Sequence, residues 1–227
     1  MKLEVQGSGS LADYLVHHPE VTDLLVTGGD PSAMKTSKLR RRLEPVLQAR
    51  PAGLRTIRIG SKALSYWRFR FTHGKGADEL LRSLEEIVGK GYHVALTAHF
   101  SHPVEMGPAV VRTAVKRIQS TGAIIRTQAP IVRHVNDSAD AWAILWRTAV
   151  SMGMVPYYMF IPRDTGPRRY FQVPPAEAHR VFRRAFRRVS GLARTVRGPS
   201  MSARPGKVQL LGVSKIGGRK VFVLQFL

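Results

Sequence analysis

The sequence predicts an α/β protein: a partial TIM-type (β/α) barrel of parallel strands, followed by a C-terminal helix and a β-hairpin. Three observations point there. Short apolar runs alternate with segments of helical period, each run exits into polar or glycine residues, and the last third abandons this rhythm for two apolar runs around a glycine turn. A doubly wound sheet would give the same alternation, and in both architectures ligands gather at the C-terminal ends of strands.

Strands are expected at 23–27, 56–59, 93–98, 123–127 and 155–160, with helices at 35–49, 77–90, 104–120 and 138–152. A first helix is expected from near Leu11, feeding the first strand after Pro19. Between 77 and 88, Leu80, Leu81, Leu84, Ile87 and Val88 recur as on a core-facing helix, with Asp78 near its start and Gly89 or Gly91 at its end. A helix over 175–189 leads to Gly191, and a stretch rich in glycine and proline continues to Gly206. The apolar runs 208–213 and 220–226 flank Gly217-Gly218 and read as a hairpin. The expected organisation is a lead-in at 1–10, non-native or disordered and containing Gly7-Ser8-Gly9-Ser10, a barrel segment at 11–174, and a C-terminal segment at 175–227. The end in Phe226-Leu227, directly after an apolar run, points to a native product that continues.

Composition excludes several classes. With no cysteine in 227 residues there is no disulfide framework and no thiolate metal site. No apolar run reaches membrane-spanning length, and Lys2, Glu4 and Gln6 interrupt any signal-peptide core, so the chain reads as soluble and cytoplasmic, with no membrane partner. The formal charge of +21 would attract nucleic acid or other anions. The basic residues cluster at 38–42 and 180–188, however, where Val181, Phe182, Ala185 and Val189 share one helical stripe and leave the arginines to solvent. Neither cluster carries an RNA-binding or zinc-finger signature, so a solvated arginine face is favoured over a nucleic-acid site.

The strand exits hold the chemistry. Thr27-Gly28-Gly29-Asp30 combines glycines that let a ligand approach the backbone with an acid able to accept from an ammonium group. Gly60-Ser61-Lys62, His99-Phe100-Ser101-His102, Gln128 and Pro162-Arg163-Asp164 end the later strands. His99 and His102 have no matching third ligand, so no metal site is expected.

Taken with Arg58-Ile59-Gly60-Ser61-Lys62, Thr97-Ala98-His99, Arg126-Thr127-Gln128, Val135-Asn136-Asp137 and Val155-Pro156-Tyr157-Tyr158, this order of motifs resembles the radical S-adenosylmethionine aminomutases, the lysine 2,3-aminomutase-like family, from about Leu11 to about Lys207. The resemblance implies a partial TIM barrel binding S-adenosylmethionine, pyridoxal phosphate and a 4Fe-4S cluster. It also implies a reaction in which a deoxyadenosyl radical drives migration of an amino group between neighbouring carbons of an amino acid held as an imine. It places Thr27, Gly28, Gly29 and Asp30 on the methionine amino group, His99 and Gln128 beside the nucleoside, and Lys207 as the candidate imine lysine. A surface lysine before a strand is the alternative for Lys207.

Two departures qualify the resemblance. Where lysine-specific members carry an aspartate for the substrate's ammonium, Arg163 stands beside Asp164, and the second aspartate falls near Ala203. This favours a carboxylate- or phosphate-bearing substrate over lysine. The family's three-cysteine cluster loop has no counterpart here. The expectation is therefore a truncated member, inactive in radical chemistry. The alternatives are a non-catalytic binding or regulatory protein on the same scaffold, with a partner or further subunit covering the open barrel edge, and behind it a basic nucleic-acid binder.

Overall fold

The computed structural model describes residues 8–162, 168–204 and 206–227. Its helices and strands bear out the α/β class, and the chain divides into two compact units. One takes described residues 8–99 and 108–126, the other 100–107 and 127–227.

The first unit opens with helix α1 (Ser8–His17), three residues ahead of the expected start. Strands β1 (Asp23–Val26), β2 (Thr56–Ser61) and β3 (His93–His99) pair in parallel and in chain order, with Ile59 opposite Val26 on one side and Leu96 on the other. Such pairing requires a crossover between strands, and helices α2 (Thr36–Ala49) and α4 (Lys75–Gly89) supply it. Their apolar stripes form the core. Leu39, Leu43 and Val46 of α2 and Leu80, Leu84 and Ile87 of α4 are buried together with Ile57 and Ile59 of β2.

Between β2 and α4 the chain makes a short helix α3 (Ala63–Tyr66) and a 3-10 turn (Arg68–Phe71), neither of which the sequence suggested. Arg70 locks this connection. Its guanidinium is buried and donates to the carbonyls of Ser32 at 2.9 Å and Gly76 at 2.5 Å and to Thr36 Oγ1 at 2.7 Å. The helix expected over 104–120 is broken in two. A 3-10 turn at Pro103–Met106 lies in the second unit, and α5 (Ala109–Gln119) begins after Pro108 in the first.

Strand β4 (Ile124–Pro130) runs through the division between the units and is three residues longer than expected at its C-terminal end. In the second unit α6 (Ala139–Ser151) follows, its first turn capped by Ser138 Oγ accepting from Ala141 N at 3.2 Å. Next come β5 (Val155–Phe160), α7 (Arg168–Phe171) and α8 (Pro175–Phe186). Val181, Phe182 and Ala185 of α8 are buried and its arginines face solvent, as the stripe predicts. Trp146 of α6 meets Phe182 with ring centroids 5.6 Å apart.

The glycine- and proline-rich stretch contains a strand, β6 (Arg197–Ser202), parallel to β5 and antiparallel to β7 (Lys207–Ile216). Strand β8 (Arg219–Phe226) completes the hairpin. The hairpin is longer than expected, because Ser214 to Ile216 belong to β7 and only Gly217-Gly218 turn the chain. Their φ values of 55° and 78° suit the left-handed turn that twisted antiparallel strands require. No helix of the described residues is long and apolar enough to cross a membrane.

Candidate strand-exit site

In the first unit the exits of β1 and β2 are tied together by one carboxylate. After β1, Gly28 and Gly29 take φ of 98° and 56°. A Cβ at either would meet nothing within 4 Å, so backbone conformation rather than space demands glycine there. The turn delivers Asp30, whose Oδ1 accepts from Ser32 N at 3.0 Å and caps the 3-10 turn Pro31–Ala33. Its Oδ2 accepts from Lys62 N at 2.8 Å, just past β2, and from Tyr66 Oη at 3.3 Å. A carboxylate offers about four acceptor directions, so three are used and one is left for an incoming donor.

Neighbouring groups stand around that turn. Thr27 lies close to Gly60, where a Cβ would sit 3.5 Å from Thr27 Oγ1. Gly60 pairs in register with Thr97 of β3, and His99 follows two residues on, on the same face. Burial, reinforced by the Lys62 charge, pulls the His99 imidazole down to about 4, so the ring is neutral at physiological pH. It is a hydrogen-bonding group there and not a cation. Tyr66 was missed by sequence reasoning, since an aromatic four residues past a lysine carries no signature of its own. Burial, reinforced by the same carboxylate, pushes the Tyr66 hydroxyl above its usual range.

The second unit holds the other expected residues. Gln128 lies inside β4 and not at its end, half-buried, which corrects the strand-exit expectation. Lys207 is the first residue of β7. Its Nζ stands 4.0 Å from the centroid of Tyr158 and 4.7 Å from that of Phe160, two β5 rings stacked at 5.2 Å. Tyr158 and Phe160 are two apart on one strand, and that spacing could have suggested an aromatic wall. Asn136 is buried and fully used: Oδ1 accepts from Val132 N at 2.6 Å, and Nδ2 donates to the carbonyls of Ser101 and Pro130 at 2.8 and 2.9 Å. His102 Nδ1 accepts from Val104 N at 3.3 Å and caps the turn. Arg163 and Asp164 lie outside the described residues.

The fit of these residues to the implied groups is uneven. An open glycine turn, a carboxylate with one acceptor direction left and a neutral histidine nearby suit the polar end of S-adenosylmethionine. For pyridoxal phosphate the described residues supply an amine and an aromatic wall. For an iron–sulfur cluster the residues present do not fit. The 227 residues contain no cysteine, and among the described residues no three histidines or carboxylates gather as metal ligands.

Parallel strands in chain order, with polar exits on glycine turns, define the class as an α/β protein of the barrel type whose ligand groups lie at strand ends. Sequence comparison narrows this. The chain is 34% identical over 200 residues to a protein of Aquifex aeolicus (strain VF5) named "Putative L-lysine 2,3-aminomutase", covering 88% of this chain and 52% of that protein. It is 25% identical over 198 residues to the L-lysine 2,3-aminomutase of Escherichia coli (strain K12), covering 87% and 55%. With the glutamate 2,3-aminomutase of Clostridioides difficile (strain 630) it shares 26% over 160 residues, covering 70% and 35%.

The chain belongs to the radical S-adenosylmethionine aminomutase family, the lysine 2,3-aminomutase-like proteins. It spans about half the length of the first two of these relatives. No protein-family model matches it. A radical SAM methyltransferase from Sphaerobacter thermophilus superposes with a TM-score of 0.41 at 15% identity over 74% of this chain and 58% of that one, a likeness too slight to add to the assignment.

Proposed function

We propose that this chain is the S-adenosylmethionine- and amino-acid-binding stretch of a cytoplasmic aminomutase, acting on a carboxylate-bearing amino acid in preference to lysine and inactive in radical chemistry by itself. The observation that carries the reading is the Asp30 turn, which fixes the exits of β1 and β2 into one open, polar rim. On this reading Gly28 and Gly29 expose backbone to the ligand, Asp30 accepts from its ammonium group, and the neutral His99 contacts its nucleoside. Lys207 offers the amine that would join pyridoxal phosphate. In this family S-adenosylmethionine supplies the hydrogen-abstracting radical once it is reduced by the cluster.

The substrate preference rests on charge. Arg163 would offer a planar fork to a side-chain carboxylate and repel the ammonium of lysine. A relative named for glutamate among those aligned supports that direction.

Titration calorimetry of the 227-residue chain with S-adenosylmethionine tests the binding claim. Saturable binding that falls at least tenfold in Gly28→Val supports it, and no heat of binding at millimolar ligand refutes it. Reconstitution with iron and sulfide tests inactivity: cluster absorbance with cleavage of S-adenosylmethionine would overturn it. The second reading, a binding or regulatory protein on the same scaffold with a partner over the outer edge of β1, which among the described residues pairs only with β2, is favoured by the missing thiolates together with the intact turn. It predicts the same ligand binding and a cooperative thermal transition for the isolated chain.

A further inference from the structure

We propose that the outer face of α8 is a docking surface for the phosphate backbone of a nucleic-acid duplex, gripped by Arg180, Arg183, Arg184 and Arg187 without reading bases. This stands independently of the reading above.

The sequence alone favours a solvated arginine face; the structure adds where the neighbouring carboxylates go. Helices α6 and α8 flank an open cleft of about 620 Å³, with Arg180, Arg184 and Arg187 along it and the carboxylates of Asp137, Asp140 and Glu177 beside them. All three carboxylates are committed to other cations. Glu177 accepts from Arg133 Nη2 at 2.8 Å, Asp137 lies 3.9 Å from Arg133 Nη1, and Asp140 pairs with Arg188. Among the described residues this leaves Arg180, Arg183, Arg184 and Arg187 exposed and without an ion pair. Other arginines of the chain do find carboxylates, Arg40 on Glu86 and Arg117 on Asp78. The four of α8 stand three or four residues apart, and like charges at that spacing oppose the helix that carries them. A bound polyanion would remove that repulsion.

The occupant follows from the shape of the row and from what surrounds it. Arg187, the C-cap, keeps helical backbone angles, so the row runs about 10 Å along the axis from Arg180. That length matches roughly three successive phosphates of one duplex strand and exceeds a single phosphate group. A lipid surface would need an apolar face to insert, and Val181, Phe182 and Ala185 are only 8%, 7% and 0% exposed. Unstacked bases would need a free ring. Phe186 is half-buried, stacked on Phe182 at 5.6 Å, and has the Arg194 guanidinium over its face. The face therefore offers charge alone, and the net +21 of the chain extends the attraction to a long anion.

Fluorescence anisotropy of a labelled DNA duplex with the intact chain tests this. Binding should be saturable, indifferent to base sequence and steeply weakened by salt. Arg180→Gln, Arg183→Gln, Arg184→Gln and Arg187→Gln combined should weaken it at least tenfold. The slope of log affinity against log salt should become shallower by about 3 to 4. A control removes the same charge from α2 and its N-cap, as Lys35→Gln, Lys38→Gln, Arg41→Gln and Arg42→Gln, and should weaken binding less than about threefold. Both variants should keep the thermal midpoint of the native chain, since none of these side chains holds an ion pair among the described residues. No saturable binding, equal losses in the two variants, or a lowered midpoint in the α8 variant would each overturn the proposal. So would tighter arginine-dependent binding to phosphatidylserine vesicles or to inorganic polyphosphate than to the duplex.

Discussion

Asp30 and Lys207 sit in different units and are held in opposite ways. Asp30 is fixed by hydrogen bonds from two backbone N–H groups and a phenol, all supplied within the turn and the next strand exit. Lys207 lies over the faces of two aromatic rings, its Nζ 4.0 Å from the Tyr158 centroid and 4.7 Å from that of Phe160. The first arrangement is directional and shapes the backbone around it; the ring contacts of the second act on a charge over a broad range of angles. On the function proposed above, a turn that presents its backbone to a ligand is served by the first kind of contact, and a lysine that offers its amine to a carbonyl by the second.

The largest expected contrast is in stability. Asp30→Ala removes the cap of a 3-10 turn and the tie between β1 and β2, and should cost about 3 kcal/mol in urea denaturation at neutral pH. A loss below about 1 kcal/mol would mean that the rim holds without its carboxylate.

A second difference is in pH. The folded His99 has its proton affinity depressed from 6.5 to about 4, so below pH 6.5 the unfolded chain takes up a proton that the folded chain refuses. Stability therefore falls as pH drops from 6.5 toward 4, by up to about 1.4 kcal/mol per pH unit and about 2 kcal/mol by pH 5. Thermal scans of the native chain and of His99→Gln across this window measure it; parallel profiles would remove His99 as the cause.

Gly28→Ala should cost about 1.5 kcal/mol through its φ of 98° alone, since the added carbon meets open space. A neutral result would show that the turn relaxes. Lys207→Ala should be mildest, about 1 kcal/mol for a cation over the buried Tyr158 and half-buried Phe160 rings, read from the same urea midpoints. Should Lys207→Ala prove costlier than Asp30→Ala, the contrast between the two holds is inverted.

These differences also explain what the sequence disclosed. The turn at Asp30 was legible because its determinants are local: a strand, two glycines and an acid in succession. So were α2, α4 and α6, whose apolar spacing belongs to each helix alone. Strand β6 was not. Gly198, Pro199 and Ser200 have little strand preference, and the segment is extended because it lies between β5 and β7. Tyr66 and the Tyr158–Phe160 wall were missed because their roles depend on partners 36 residues away in one case and across the sheet in the other. The charged stripe of α8 was read correctly, since one helical period separates its arginines from its buried residues.

Asn136 has a consequence on a slower timescale. Its amide nitrogen donates to two carbonyl oxygens, those of Ser101 and Pro130, so spontaneous hydrolysis to aspartate would set two repelling acceptors in place of two bonds. While the loop is closed, the buried side chain is shielded from that reaction. Only molecules whose loop has opened can age at this position. Acid accumulating at residue 136 in stored protein would therefore count openings, as a chemical record that outlasts each one.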